Sequence, residues 1–78
     1  MWSSTLSPNI YSDRYQAFLQ RLRQAREDAG MTQVEVSKAL GKHQSYVSKC
    51  ESGERRVDVI ELADFARIYN KSLEFFLS

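Results

Sequence analysis

The stretch Thr32–Gly53, TQVEVSKALGKHQSYVSKCESG, decides how this chain folds, because it reads as two short helices joined by a tight glycine turn. Thr32 is placed to cap the first helix, and Glu35 three residues on closes a capping box; Met31 and Val36 flank the cap as a hydrophobic staple. Val36, Ala39 and Leu40 recur at helical spacing as the inward set, with Ser37 small enough to admit a neighbouring helix, while Gln33, Glu35 and Lys38 point away. Gly41 then ends the helix, since glycine takes the left-handed conformation without a Cβ penalty. The second helix is expected over Gln44–Ser52, with Val47 and Cys50 inward, Glu51 beside them, and Gly53 as its stop. Its outward residues, Gln44, Ser45, Ser48, Lys49 and Ser52, carry donors and acceptors that can reach base edges and phosphates. The same pattern also suits a solvated face on a helical bundle that never meets DNA, so spacing alone leaves both readings open.

Working outward, the segment before this pair predicts a helix starting near Asp13, with Gln16 as its box partner. Tyr15, Phe18, Leu19, Leu22 and Ala25 form one stripe before Gly30 stops it. After the pair, a helix begins at Asp58 with Glu61 as box partner and Val57 stapled to Leu62; its inward set is Leu62, Phe65, Ala66 and Tyr69, with Val59 or Ile60 also available. Asn70 suits the left-handed C-terminal position, and Ser72 caps a last helix over Leu73–Leu77. The expectation is an all-α fold of five helices joined by short loops, with residues 13–78 as the folded domain and residues 1–12 as a partly irregular N-terminal arm. That arm, broken by Pro8, carries Trp2, Leu6, Ile10 and Tyr11, which either fold back onto the domain or reach a partner.

Composition bounds the function. Seventy-eight residues make one domain, and at this size folding buries only about 60% of the unfolded chain's surface. One cysteine excludes an internal disulfide, and with a single histidine it leaves no set of metal ligands, so neither a metal nor a cofactor is expected. Cys50 falls on the inward face, where a packing role outweighs a reactive thiol. No apolar run approaches the length of about 20 residues that spans a bilayer. The first twelve residues lack the charged start and apolar centre of a signal peptide, which makes a cytoplasmic location the expectation. The net charge of +1 is far from the basic balance of many nucleic-acid binders. Its distribution is mildly polar: residues 32–56 hold five basic side chains against three acidic, and residues 57–78 hold two against four. An enzyme finds little support, because Ser45 and Ser48 have only His43 nearby and no carboxylate placed to orient it.

From Leu22 to about Leu77 the chain resembles the Cro and phage-repressor (XRE) family of helix-turn-helix regulators. The resemblance is carried by LRQAREDAGMTQ (Leu22–Gln33), by QSYVSKCESG (Gln44–Gly53), by the amphipathic helix that follows, and by the closing SLEFFL segment. It implies a lambda-repressor-like domain in which the second helix of the pair enters the major groove of double-stranded DNA. On that footing Gln44, Ser45 and Lys49 are the main candidates for base edges, with Ser48 between them; Gln44 suits adenine, and Lys49 suits guanine or a phosphate. Gln33, in the first turn of helix two, is expected on a phosphate, helped by the free N–H groups of that helix start. Ser52, Arg55 and Arg56 at the exit loop, and Tyr46 through its hydroxyl, are further phosphate candidates, although a tyrosine covering the domain edge fits Tyr46 almost as well. The family also places an arginine at the end of helix one against a glutamate at the end of the recognition helix, which here gives the pair Arg26 and Glu51 as a device that aims that helix. One departure stands out. Many members carry Ser or Thr where this chain has His43, and histidine is a poorer cap, so either Lys42 or His43 turns to the phosphate backbone or the helix start frays.

A monomer of this size reads few base pairs, so the expected form is a stand-alone homodimer on a pseudo-palindromic operator. Leu73, Phe75 and Phe76, with Leu77, offer the apolar area for its interface; the alternative is that Leu73, Phe76 and Leu77 close the core and only Phe75 stays outside. The second function in view is an interaction module of the antitoxin kind, in which the arm or last helix binds a partner protein and DNA binding serves autoregulation.

Overall fold

Ser12, and not Asp13, opens the first helix: its Oγ accepts the backbone N–H of Tyr15 at 3.1 Å, and Asp13 becomes the first helical residue. The expected box between Asp13 and Gln16 is therefore replaced by a serine cap one residue earlier. The structure, a computed structural model, describes residues 12–78; the readings that place Trp2, Leu6, Ile10 and Tyr11 lie outside the described residues. In chain order the elements are α1 (Asp13–Asp28), α2 (Gln33–Ala39), α3 (Tyr46–Ser52), α4 (Val59–Tyr69) and α5 (Leu73–Leu77), an all-α, five-helix arrangement with no strand among the described residues.

The two capping boxes expected at α2 and α4 are both present. Thr32 and Glu35 exchange bonds of 2.8 and 3.1 Å, and Asp58 and Glu61 do so at 3.0 and 2.7 Å. The exits are made by the chain's left-handed residues. At α2 the N–H of Gly41 bonds Lys38 O and that of Lys42 bonds Ser37 O, a Schellman closure that needs the positive φ of 71° at Gly41. Asn70, at φ 57°, does the same for α4, with Lys71 N–H reaching Ala66 O. Ser72 precedes α5 with extended backbone but without a side-chain cap bond.

α1 is the central element, packing against α3, α4 and α5, while α2 packs on α3 and α5 on α4. Its expected stripe is the core: Leu22 and Ala25 are fully buried, Phe18 and Leu19 nearly so, and Tyr15 packs at the margin. Val36 and Ser37 of α2, Val47 and Cys50 of α3, Phe65 of α4 and Phe76 of α5 close around them. The rings of Tyr46, Phe65 and Tyr69 stack in series at centroid spacings of 6.0 and 5.8 Å. Two expectations are corrected. Ala39 is exposed rather than inward, because the last turn of α2 is already swinging into the Gly41 closure. Val59 and Ile60 are 70% and 69% exposed, so the first turn of α4 stands clear of the core.

Candidate nucleic-acid interface

The seating of α3 starts from its missing cap. The helix begins at Tyr46 rather than Gln44, and Ser45 at its N-cap makes no side-chain cap bond. A helix start leaves backbone donors without partners, and here three different groups take them. His43 Nδ1 accepts from Ser45 N–H at 3.1 Å, His43 O accepts from Tyr46 N–H at 2.9 Å, and Ser37 Oγ accepts from Val47 N–H at 3.1 Å. The poor cap expected of His43 is thus made good by its ring nitrogen and by a buried serine of the preceding helix. Ser37 was read from the sequence only as small. The signal for more was its hydroxyl, which once buried needs a partner.

At the other end α3 is held by Glu51, whose side chain is fully buried. Arg26 Nε donates to its Oε2 at 2.7 Å and Arg26 Nη2 to its Oε1 at 3.2 Å. Gln33 Nε2 donates to Oε1 at 2.9 Å, and Arg23 Nε stands 3.7 Å from the same oxygen. Arg26 also donates through Nη1 to Met31 O at 3.0 Å, so one guanidinium ties the end of α1, the entry to α2 and the end of α3 together. The bond to Glu51 holds the Arg26 guanidinium pKa above its ordinary value. The contact between Arg26 and Glu51 inferred from the family pattern is present, within a network of four side chains. Gln33, expected on a phosphate, has an amide nitrogen committed to this network, and Arg23 is a member that sequence reasoning missed.

The exit loop carries a second clamp, also unforeseen. Arg55 donates from Nη1 and Nη2 to Glu61 at 2.9 and 2.7 Å, and from Nη1 to Arg56 O at 3.0 Å. Its guanidinium lies 5.1 Å above the Tyr46 ring, which Lys42 approaches at 5.4 Å. The guanidinium of Arg55 holds the Glu61 carboxyl below its ordinary range, with the backbone N–H of Asp58 assisting. Glu61 thus serves the capping box and the clamp with one carboxylate, and only the first duty was visible in its spacing from Asp58. Arg55 is therefore not a freely extended phosphate ligand.

Other assigned residues sort by what they already bond. Tyr46, only 8% exposed, packs its ring in the aromatic core, and burial pushes its hydroxyl pKa up. Burial likewise raises the Cys50 thiol, in keeping with packing rather than reactivity. Ser48 Oγ donates to Ser45 O at 2.9 Å and Ser52 Oγ to Lys49 O at 3.1 Å, so both hydroxyl protons are spent within α3. Arg56 is exposed with its guanidinium 4.5 Å over the Tyr15 ring. Gln44 and Lys49 are exposed, and neither makes a side-chain hydrogen bond or ion pair among the described residues. At the chain's end Phe76 is corrected from interface to core, being 1% exposed and packed 6.5 Å from the Phe18 ring. Leu73 and Leu77 remain 45% and 61% exposed, and Phe75 is half-buried with Arg21 and Lys71 over its ring at 5.2 and 4.6 Å.

Two short helices meeting at a glycine turn, with the second pinned from beneath and its outer Lys49 unengaged among the described residues, define a helix-turn-helix domain. A helix-turn-helix family model, HTH_3, matches residues 22–76. Among solved structures, an XRE-family like protein from Pseudomonas syringae pv. tomato str. DC3000 is 48% identical, with 88% of this chain and 86% of that chain covered at a TM-score of 0.76. No curated protein matches the chain. The chain belongs to the XRE family of helix-turn-helix proteins, and it is a DNA-binding transcriptional regulator by that membership. Among the described residues no helix is long and apolar enough to cross a membrane.

Proposed function

We propose that the chain is a sequence-specific regulator that binds double-stranded DNA as a homodimer on a pseudo-palindromic operator, reading bases with Gln44, Ser45 and Lys49. The observation that carries this reading is the contrast between the inner face of α3 and the side chains outside it and just ahead of it. Its inner face is fixed by Glu51, Val47 and Cys50, all buried, while Gln44 and Lys49 on the outside are exposed. Side chains left without internal partners on a rigidly held helix are those able to bond base edges in the major groove. Lys42, His43, Arg23 and Arg56, all exposed, supply positive charge or donors for phosphates around that face, and Gln33 and Ser52 contribute through whatever bonding capacity their internal partners leave. Ser48 is a secondary base contact through its lone pairs.

The dimer is proposed on Leu73 and Leu77 with the edge of Phe75. The exposed Val59–Ile60 pair is the rival surface. Selecting bound sites from random duplex DNA tests the whole reading: a single enriched motif with two-fold symmetry supports it, and no enrichment together with no salt-dependent affinity overturns it. Sedimentation of Leu73→Glu against Ile60→Glu separates the two surfaces, the proposal requiring that only the first yields a monomer.

A further inference from the structure

His43 does more than stand in for a cap. Its Nδ1 receives the backbone N–H of Ser45 at 3.1 Å and lies 2.9 Å from Ser45 Oγ. A backbone N–H can only donate, so Nδ1 of the neutral ring is bare and the ring's single proton sits on Nε2. His43 is exposed, which leaves that Nε2–H for an outside acceptor. With Nδ1 bare, its 2.9 Å contact with Ser45 Oγ is a hydrogen bond only when the hydroxyl donates, sharing the lone pair with the N–H; the hydroxyl proton then faces the ring and its lone pairs are left for an outside donor. One imidazole thereby sets the hydrogen-bonding sense of two neighbouring positions.

We infer that His43 is a positioning residue for sequence readout: it makes position 43 a donor, suited to a phosphate oxygen, and turns Ser45 into an acceptor for the amino group of adenine or cytosine. In the major groove only adenine N6 and cytosine N4 donate, while guanine and thymine offer acceptors alone, so Ser45 in this state rejects guanine and thymine on the strand it touches. The inference rests on the DNA-reading assignment above and adds to it the chemistry that one contact selects.

Two measurements decide it. Long-range proton–nitrogen NMR of the free protein, with the ring neutral, should show the Nε2-protonated tautomer; a predominant Nδ1-protonated form overturns the inference before any DNA is added. Site selection with His43→Ala and His43→Asn then tests the consequence. Alanine frees the Ser45 hydroxyl to donate as well as accept, so discrimination of adenine or cytosine over guanine or thymine should fall about tenfold at one base pair and persist elsewhere. Asparagine, whose side-chain carbonyl has two lone pairs to take both the Ser45 N–H and its hydroxyl proton, should restore that discrimination. If His43→Ala weakens all sequences alike, His43 is only a cap and the inference fails while the general reading survives. A wild-type protein that enriches no site removes both.

Discussion

The two ends of α3 are built on opposite principles. At its C-terminal end Glu51, buried and bonded by Arg26 and Gln33, spends all its capacity inside the protein. Toward its entry, Gln44 just ahead of the helix and Lys49 on its outer face spend none among the described residues, and His43 accepts the Ser45 N–H while its ring stays exposed. One end carries energy and the other carries information. The difference predicts that substitutions at the first should unfold or misaim the domain, whereas substitutions at the second should change what it binds while leaving it folded.

The largest effect should come from Arg26→Ala, which leaves the buried Glu51 carboxylate with the Gln33 amide and only the more distant, largely exposed Arg23 guanidinium at 3.7 Å. Losing one partner of a buried pair costs about 3–5 kcal/mol, a large share of the stability of a domain this small. Urea denaturation should register it, and the joint change Arg26→Met with Glu51→Met should recover much of the loss; a single mutant as stable as wild type would mean that the network carries no load. Next, Lys49→Ala should lower DNA affinity by about 1–3 kcal/mol if the lysine meets guanine, with thermal stability within about 0.5 kcal/mol of wild type. If affinity instead falls equally for every sequence and the salt slope drops by about one, the lysine meets a phosphate. Gly53→Ala should cost about 1–2 kcal/mol. Gly53 sits at φ 86° with its absent Cβ facing Leu19 Cδ1 at 3.2 Å, and an unchanged melting temperature would show that the exit of α3 has room to shift.

The smallest effect concerns the half-exposed clamp. The Glu61 pKa is lowered by the Arg55 guanidinium, so the stability it contributes is present above the ordinary value of 4.5 and is lost as pH falls through the lower, folded value. Glu61→Gln should flatten that acid limb while leaving the neutral-pH limb parallel to wild type. Identical acid limbs in both proteins would show that other carboxylates, such as Asp28 beside Lys71, govern it.

How far the sequence could be read follows the same division. The helices were legible because their signals are local: the boxes at Thr32 and Asp58, the left-handed exits at Gly41 and Asn70, and the apolar stripe of α1 each lie within a few residues. Arg26 with Glu51 was legible only through the family pattern, since 25 residues separate the two. Arg55 with Glu61, Ser37 with Val47 N–H, and Tyr15 Oη with Val57 N–H at 3.2 Å were not legible, because each depends on how one element meets another rather than on spacing within it. Phe76 misled, and Tyr46 was left between two readings, for a related reason. An aromatic residue at the edge of a helical pattern fits inside or outside equally well until the neighbouring helix is placed, and here Phe65 and Phe18 draw them in.

The central claim is that the recognition helix and the residues leading into it read sequence through Gln44, Ser45 and Lys49. Its most direct measurement is site selection from random duplex DNA with wild-type protein and Gln44→Ala in parallel, each checked by thermal melting. The account predicts equal stability and a preference, strongest for adenine, that disappears at one base pair per half-site while the rest of the motif is retained. An unchanged motif, or a uniform loss of affinity at every position, would contradict it.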